Sequence, residues 1–258
     1  MRHLDTDRIC GPAAVAALFA RRPEAALRLF HVAERRREAG PFCSQLAKMR
    51  RPYREVPPDE LSRIAGTEHH GGLVVVAEAR SVAELGAGPF PAALLAAPVL
   101  PVLDGIGNPH NLGAIARSAA FFGCTGMLLS GDPRQAGLSD AAFRTAEGGL
   151  EVLELARAPS LPIALRALAP RFATVAAVAR DGVAPESLPV SGKPYALVLG
   201  NEETGLAPAT VAACAHRVTL KGAGSVESLN VSVAAAVLIH ALMTRAGTLA
   251  ARGAEGAG

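Results

Sequence analysis

Short apolar runs alternate along the chain with longer segments whose apolar residues recur at helical spacing. Within the first eighty residues, Pro12–Ala20 reads as a helix with proline near its start. Leu27–Val32 reads as a short strand. Ala33–Arg50 reads as a basic helix with Gly40-Pro41 as a candidate break, Asp59–Ala65 as a helix and Leu73–Ala77 as a buried strand. That alternation predicts a small three-layer α/β domain. The pattern restarts near residue 98. Strands are expected at Val99–Leu103, Met127–Leu129, Leu150–Leu155, Phe172–Val178, Tyr195–Leu199 and Arg217–Leu220. Helices are expected at Leu112–Phe122, Asp140–Ala146, Leu161–Ala169, Pro208–Cys214 and Leu229–Met243. Strands separated by helices of this length predict a parallel sheet covered on both faces. Between the two blocks lie Gly86, Gly88, Pro89 and Pro91, the punctuation of a linker. The expected organisation is a first domain at 1–80, a linker at 81–97, a second domain at 98–250 and a flexible tail at 251–258.

Composition narrows the setting. The chain has 258 residues, half of them hydrophobic and 19% charged, as a globular protein does. Its longest uncharged stretch, Leu85–Leu103, is interrupted by Pro89, Pro91, Pro98 and Pro101, so no membrane span is expected. With a polar start and no leader pattern, the expectation is a cytoplasmic protein. The four cysteines, Cys10, Cys43, Cys124 and Cys214, are too scattered for a zinc knuckle or a CxxC pair and read as small hydrophobes. His69-His70 has no partner ligands at metal spacing, so no metal is expected. Charge is uneven: residues 1–63 hold 13 Lys/Arg against 8 Asp/Glu, although the whole chain carries only +3. Arg21-Arg22, Arg35-Arg36-Arg37 and Lys48 to Arg51 concentrate that excess. They suggest either a polyanionic partner, RNA above all, or a solvated helix face.

Three polar, glycine-bearing segments follow expected strands. In Asn108-Pro109-His110-Asn111-Leu112-Gly113-Ala114-Ile115-Ala116-Arg117, Asn111 is suited to cap a helix. Leu112, Ile115, Ala116, Ala119 and Phe122 form its apolar stripe. Arg117 lies off that stripe, four residues after Gly113, as a fork for a phosphate. In Leu197 to Leu206, an apolar strand runs into Gly200-Asn201-Glu202-Glu203-Thr204-Gly205, at the kind of strand end where open α/β sheets bind ligands. In Leu220 to Ala234, a glycine-rich loop leads to Ser228-Leu229-Asn230 at a helix entrance. The dinucleotide and Walker readings of this loop both fail, for want of a third glycine and of Gly-Lys-Ser/Thr.

Taken together and in this order, the segments resemble the three motifs of the SpoU/TrmH family, within the SPOUT class of methyltransferases. Asn111, Gly113 and Arg117 match the first motif. Gly200, Glu202 and Gly205 match the second, and Ser228 through Ala234 the third. The first eighty residues are similar to the ribosomal-protein-like substrate-binding domain that often precedes this catalytic domain.

The resemblance implies an α/β catalytic domain with a deep trefoil knot, a homodimer and S-adenosylmethionine as cofactor. The implied reaction is methylation of a ribose 2′-hydroxyl in tRNA or rRNA, with no DNA partner. It implies main-chain cofactor contacts at Leu199, Gly200, Gly205, Leu220 and Leu229. It also implies a catalytic set of Arg117, Asn111, Glu202, Ser228 and Asn230. One departure is Leu220-Lys221-Gly222, where the family often has Ile-Pro-Met. Arg117 is open to two roles, proton acceptor or phosphate clamp with charge stabilisation. A guanidinium loses its proton only above about pH 12, which favours the second. The alternatives are a base-methylating SPOUT enzyme and an RNA-binding protein without catalysis.

Overall fold

The computed structural model describes residues 5–86, 89–96, 98–189 and 192–247. The expected tail 251–258, and Gly88 of the expected linker, lie outside the described residues. In chain order the elements are β1 (Thr6–Cys10), α1 (Pro12–Arg21), β2 (Ala26–His31), α2 (Arg36–Lys48), β3 (Tyr53–Glu55), α3 (Pro58–Ala65), β4 (Leu73–Glu78), β5 (Ala83–Glu84), α4 (Ala92–Leu95), β6 (Val99–Asp104) and α5 (Pro109–Phe121). There follow β7 (Gly126–Ser130), α6 (Asp140–Ala146), α7 (Gly149–Val152), β8 (Glu154–Ala158), α8 (Leu161–Leu168), β9 (Ala173–Ala177), β10 (Tyr195–Gly200), α9 (Pro208–Ala212), β11 (His216–Val218) and α10 (Val231–Arg245). They form two compact units, residues 1–81 with 138–152, and residues 82–137 with 153–258.

In the first unit the sheet order is β1-β4-β2-β3, with β4 antiparallel to both neighbours and β3 parallel to β2. Strand β1 was not expected. Its Asp7 is buried, so the strand breaks the apolar pattern that sequence reading relies on. Helix α2 runs through Gly40-Pro41 without the anticipated break. Gly40 has no Cβ to clash with the proline ring. Phe42, one residue on, stacks on Phe19 of α1 with centroids 4.7 Å apart. Cys10, Val56, Leu61, Ala65 and Val74 form a cluster where α3 covers one end of the sheet. His70 is a structural histidine. Its Nδ1 accepts the Gly72 N–H at 3.0 Å, and its Nε2 is 3.1 Å from the Ser62 hydroxyl.

The segment 138–152 lies inside the expected second domain, yet it packs with the first unit. Buried Ala142, Phe143 and Ala146 of α6 supply its apolar face. Arg8 of β1 reaches Asp140 with its backbone N–H at 3.1 Å and its guanidinium at 3.2 Å. Glu151 has a fully buried side chain and takes two hydrogen bonds of 2.8 Å from Arg22 and one of 3.0 Å from Arg80. This network corrects the expected strand at Leu150–Leu155. Residues 149–152 form a helical turn that aims Glu151 inward, and the strand starts only at Glu154.

In the second unit seven parallel strands run in the order β11-β9-β10-β6-β7-β8-β5. Every residue of β6 is buried, as a strand covered on both faces requires. On one face Leu100, Val102, Leu128, Ala196 and Val198 meet Leu161, Leu165 and Leu168 of α8. Helix α10 packs on α5 and along β10 and β6. The segment read as a linker contributes structure here. β5 pairs with β8, and Leu94 of α4 is buried so close to Gly126 that a Cβ there would meet it at 2.5 Å. Among the described residues no helix is long and apolar enough to cross a membrane.

Candidate active site

The ends of β9, β10 and β11 and the start of α10 enclose a cavity of about 540 Å³, lined by residues 177–179, 199–203 and 227–231 together with Gly205, Val218, Leu220, Ala234 and Leu238. Its position follows from the parallel sheet, whose carboxyl ends leave backbone groups facing a crevice. All five residues expected at the cofactor, Leu199, Gly200, Gly205, Leu220 and Leu229, line it, as do Glu202, Ser228 and Asn230.

The turn after β10 is tight. A Cβ on Gly200 would meet the Gly205 carbonyl carbon and the Leu206 nitrogen at 2.5 Å, and Gly205 itself has φ +69°. Asn201 braces this turn, and sequence reasoning assigned it no role. Its amide donates to the Gly105 carbonyl at 2.7 Å, and its Oδ1 accepts the Glu203 and Thr204 N–H groups at 3.0 Å. The walls at 177–179 were also missed, although they stand at a strand end where such contacts are expected.

Asn111 is not the helix cap. The cap is Asn108, whose side chain accepts the His110 N–H at 2.8 Å, with Pro109 as the first helical residue. Asn111 sits in the first turn, buried, with its amide donating to Glu202 Oε1 at 2.7 Å and its Oδ1 accepting from Asn230 Nδ2 at 3.1 Å. Asn230 caps α10, its Oδ1 accepting the Ser232 N–H at 2.8 Å. Burial alone would push the Glu202 carboxyl up. Hydrogen bonds from Asn111, from its own N–H and from the N–H groups of Gly107 and Asn108 outweigh that and hold it below the ordinary glutamate value.

Arg117 is exposed on α5 and is not among the residues lining the cavity, while Gly113 is buried in the same helix. The structure therefore groups Asn111, Glu202, Ser228 and Asn230 through the cavity wall and the Asn111 hydrogen bonds. Lys221 is exposed, and the loop from 221 to 230 is exposed throughout. At the rim Arg180 and Glu227 form an open ion pair at 3.0 Å.

Comparison with known proteins places the chain in a family and a fold. A family model described as the SpoU rRNA methylase family matches residues 98–240. A second, described as RNA 2'-O ribose methyltransferase substrate binding, matches residues 8–83. An uncharacterized tRNA/rRNA methyltransferase, YfiF of Escherichia coli O157:H7, is 33% identical over 244 residues, 90% of this chain. The chain spans 66% of that relative, just under two thirds of its length. The 23S rRNA (guanosine-2'-O-)-methyltransferase RlmB of Ralstonia nicotianae is 36% identical over 188 residues, covering 72% of this chain and 75% of the relative. In fold, the chain is similar to an AdoMet-bound rRNA methyltransferase from Sinorhizobium meliloti, with a TM-score of 0.73 at 20% identity, over 93% of this chain and 87% of that one. With its three motifs in sequence order and more than half its length matched by that family model, the chain belongs to the SpoU rRNA methylase family.

Proposed function

We propose that this protein transfers a methyl group from S-adenosylmethionine to a ribose 2′-hydroxyl of tRNA or rRNA. The observation that carries the reading is a cavity lined by the second and third motif segments, with Asn111 of the first hydrogen-bonded to Glu202 and Asn230 at its edge. The cavity fits the cofactor in kind. Its volume lies in the range of small-molecule sites, and its walls mix Leu199, Leu220 and Leu229 with main-chain groups around Gly200 and Gly205. Those five residues would hold it. When bound, it supplies a methyl group already activated by its sulfonium. What the chain must add is alignment and charge. Alignment of the 2′-oxygen contributes about 7–11 kcal/mol at best. Ser228 and Asn230 stand on the wall where a ribose would lie, and Asn111 and Glu202 hold Asn230 in place. Arg117 acts as a phosphate clamp and steadies the negative charge that grows on the oxygen.

The first unit, matched by the substrate-binding model, supplies RNA affinity through the basic excess of residues 1–63. The protein acts in the cytoplasm as a homodimer. Phe121 at the end of α5 and Val233 and Val237 on α10 are 82%, 49% and 44% exposed, an apolar surface suited to a second copy. The family likeness supports a trefoil knot in the chain through β10, β11 and α10. The test is incubation of bulk tRNA and rRNA with methyl-labelled cofactor, followed by alkaline hydrolysis. A 2′-O-methyl group blocks cleavage of the adjoining phosphodiester, so label in alkali-resistant dinucleotides supports the reading. Label in mononucleotides, or none in any RNA, overturns it.

A further inference from the structure

The hydrogen bonds among Glu202, Asn111 and Asn230 have a direction, and that direction is forced at both ends. At one end Glu202 is a carboxylate, which only accepts. Asn111 must therefore turn its NH₂ toward it, as the 2.7 Å bond to Oε1 shows. That leaves Asn111 Oδ1 to accept, and Asn230 Nδ2 donates to it at 3.1 Å. At the other end the free N–H of Ser232 in the first turn of α10 only donates. Asn230 meets it with Oδ1 at 2.8 Å, and the Ser232 hydroxyl reaches the same oxygen at 2.6 Å. Every bond thus donates toward Glu202, from a helix start where N–H dipoles converge to a negative charge, an arrangement in which successive bonds polarise one another.

The relay joins parts of the chain far apart in sequence, Asn111 being 91 residues from Glu202 and 119 from Asn230. It also ends a loop. Residues 221–230 are exposed, yet 227–230 line the cavity. The bond from Asn230 to Asn111 ties the end of that loop to α5.

We infer that Glu202 is a positioning residue: as the fixed acceptor at the end of a one-way relay through Asn111 and Asn230, it sets the loop wall of the cavity and does not itself take the substrate proton. The inference rests on the proposed methyl transfer for its functional readout, but its geometry can be tested without RNA.

The test exchanges the carboxylate and the amide. Glu202→Gln forces a clash of donors, because the new NH₂ must face either Asn111 Nδ2 or the N–H of Gly107, which donates to Glu202 at 3.3 Å. Asn111→Asp sets two carboxylates against each other. The double variant restores the pattern: the new amide at position 202 donates to the new carboxylate at position 111 and accepts from Gly107, while that carboxylate accepts from Asn230. Cofactor affinity is measured by calorimetry with S-adenosylmethionine, methyl transfer with labelled cofactor on bulk RNA, and folding by thermal unfolding. Each single variant is expected to lose about tenfold or more in cofactor affinity, and the double variant to return to within about threefold of the wild type in affinity and turnover. A double variant that binds as the wild type does but stays inactive, while the wild type methylates, overturns the inference by making the carboxylate at 202 a chemical participant. So do single variants that bind and unfold like the wild type. A wild type that binds cofactor but methylates no RNA removes the functional reading, and the affinity and unfolding cycle still decides the relay. If the wild type binds no cofactor, the unfolding cycle alone decides it, by whether the double variant recovers what each single one loses.

Discussion

Glu151 and Glu202 are both carboxylates gripped by several donors, but the donors differ in kind. Around Glu151, in the first unit, they are the guanidinium groups of Arg22 and Arg80, and the carboxylate side chain is fully buried. Around Glu202, in the second, they are the neutral amide of Asn111 and backbone N–H groups, at the lip of a cavity. A buried carboxylate paired with cations has its charge neutralised and looks inward; removing one member leaves the others in a worse place. A carboxylate satisfied by neutral donors keeps its charge and can order what lies beside it. The first arrangement serves packing and the second serves the cavity, so substitutions in the two places should fail in different ways.

Glu151→Ala tests that contrast with the largest effect. It leaves Arg22 and Arg80, with side chains only 15% exposed, without the carboxylate they share, Asp7 remaining 3.9 Å from Arg22, and stability should fall by about 3–5 kcal/mol. Urea unfolding reads this. At temperatures where the variant stays folded, its cofactor affinity should match the wild type; a loss of affinity comparable to that of Glu202→Gln would erase the distinction between the two regions.

Arg117→Ala should do the reverse. The side chain is exposed, so stability and cofactor binding should hold, while turnover falls by roughly two to three decades, about 3–4 kcal/mol in the barrier. Arg117→Lys then separates clamp from base. Activity that rises with pH in the lysine variant marks a base, and uniformly poor activity marks a fork that lysine cannot reproduce.

Smaller effects are expected from the surface of the first unit. Arg37, Lys48 and Arg50 are exposed. Replacing all three with glutamine should reduce the dependence of log affinity for RNA on log salt by about 2–3 in slope if each meets a phosphate. Filter binding at several salt concentrations measures the slope, and an unchanged value would take these residues out of the RNA surface.

The smallest effect is a drift with pH. The Glu202 pKa is depressed, so its contribution is present above the ordinary glutamate value and is lost as pH falls through the lowered folded value. Cofactor affinity should weaken over that acid range in the wild type. In Glu202→Gln the acid-range loss should vanish; if it persists, another group is responsible.

Much of the second unit could be read from sequence, because its strands are buried on both faces and its helices follow at regular intervals. The expected Val99–Leu103 falls within the observed β6, and Tyr195–Leu199 within β10. The errors cluster where a charged side chain is buried or a contact is remote. Asp7 hid β1, and Glu151 turned an expected strand into a helical turn. At the site, the residue types were legible but their roles were not. Asn108-Pro109 carries the usual signature of a helix start, and it left Asn111, three residues on, free for the relay. Nothing local marks Asn111 as the partner of Glu202, because a contact across 91 residues leaves no trace in a spacing pattern.

The packing of residues 138–152 with the first unit also has a consequence in time. A ribosome makes this chain from the amino end at about 5–20 residues per second. Arg22 is complete 129 residues before Glu151, its buried partner. For about 6–26 s of synthesis the guanidinium has no such partner, and the first unit cannot close until much of the second has already emerged. Nascent chains halted short of residue 152 would therefore present an unfinished first unit to proteases, and those halted once it has cleared the exit tunnel would not.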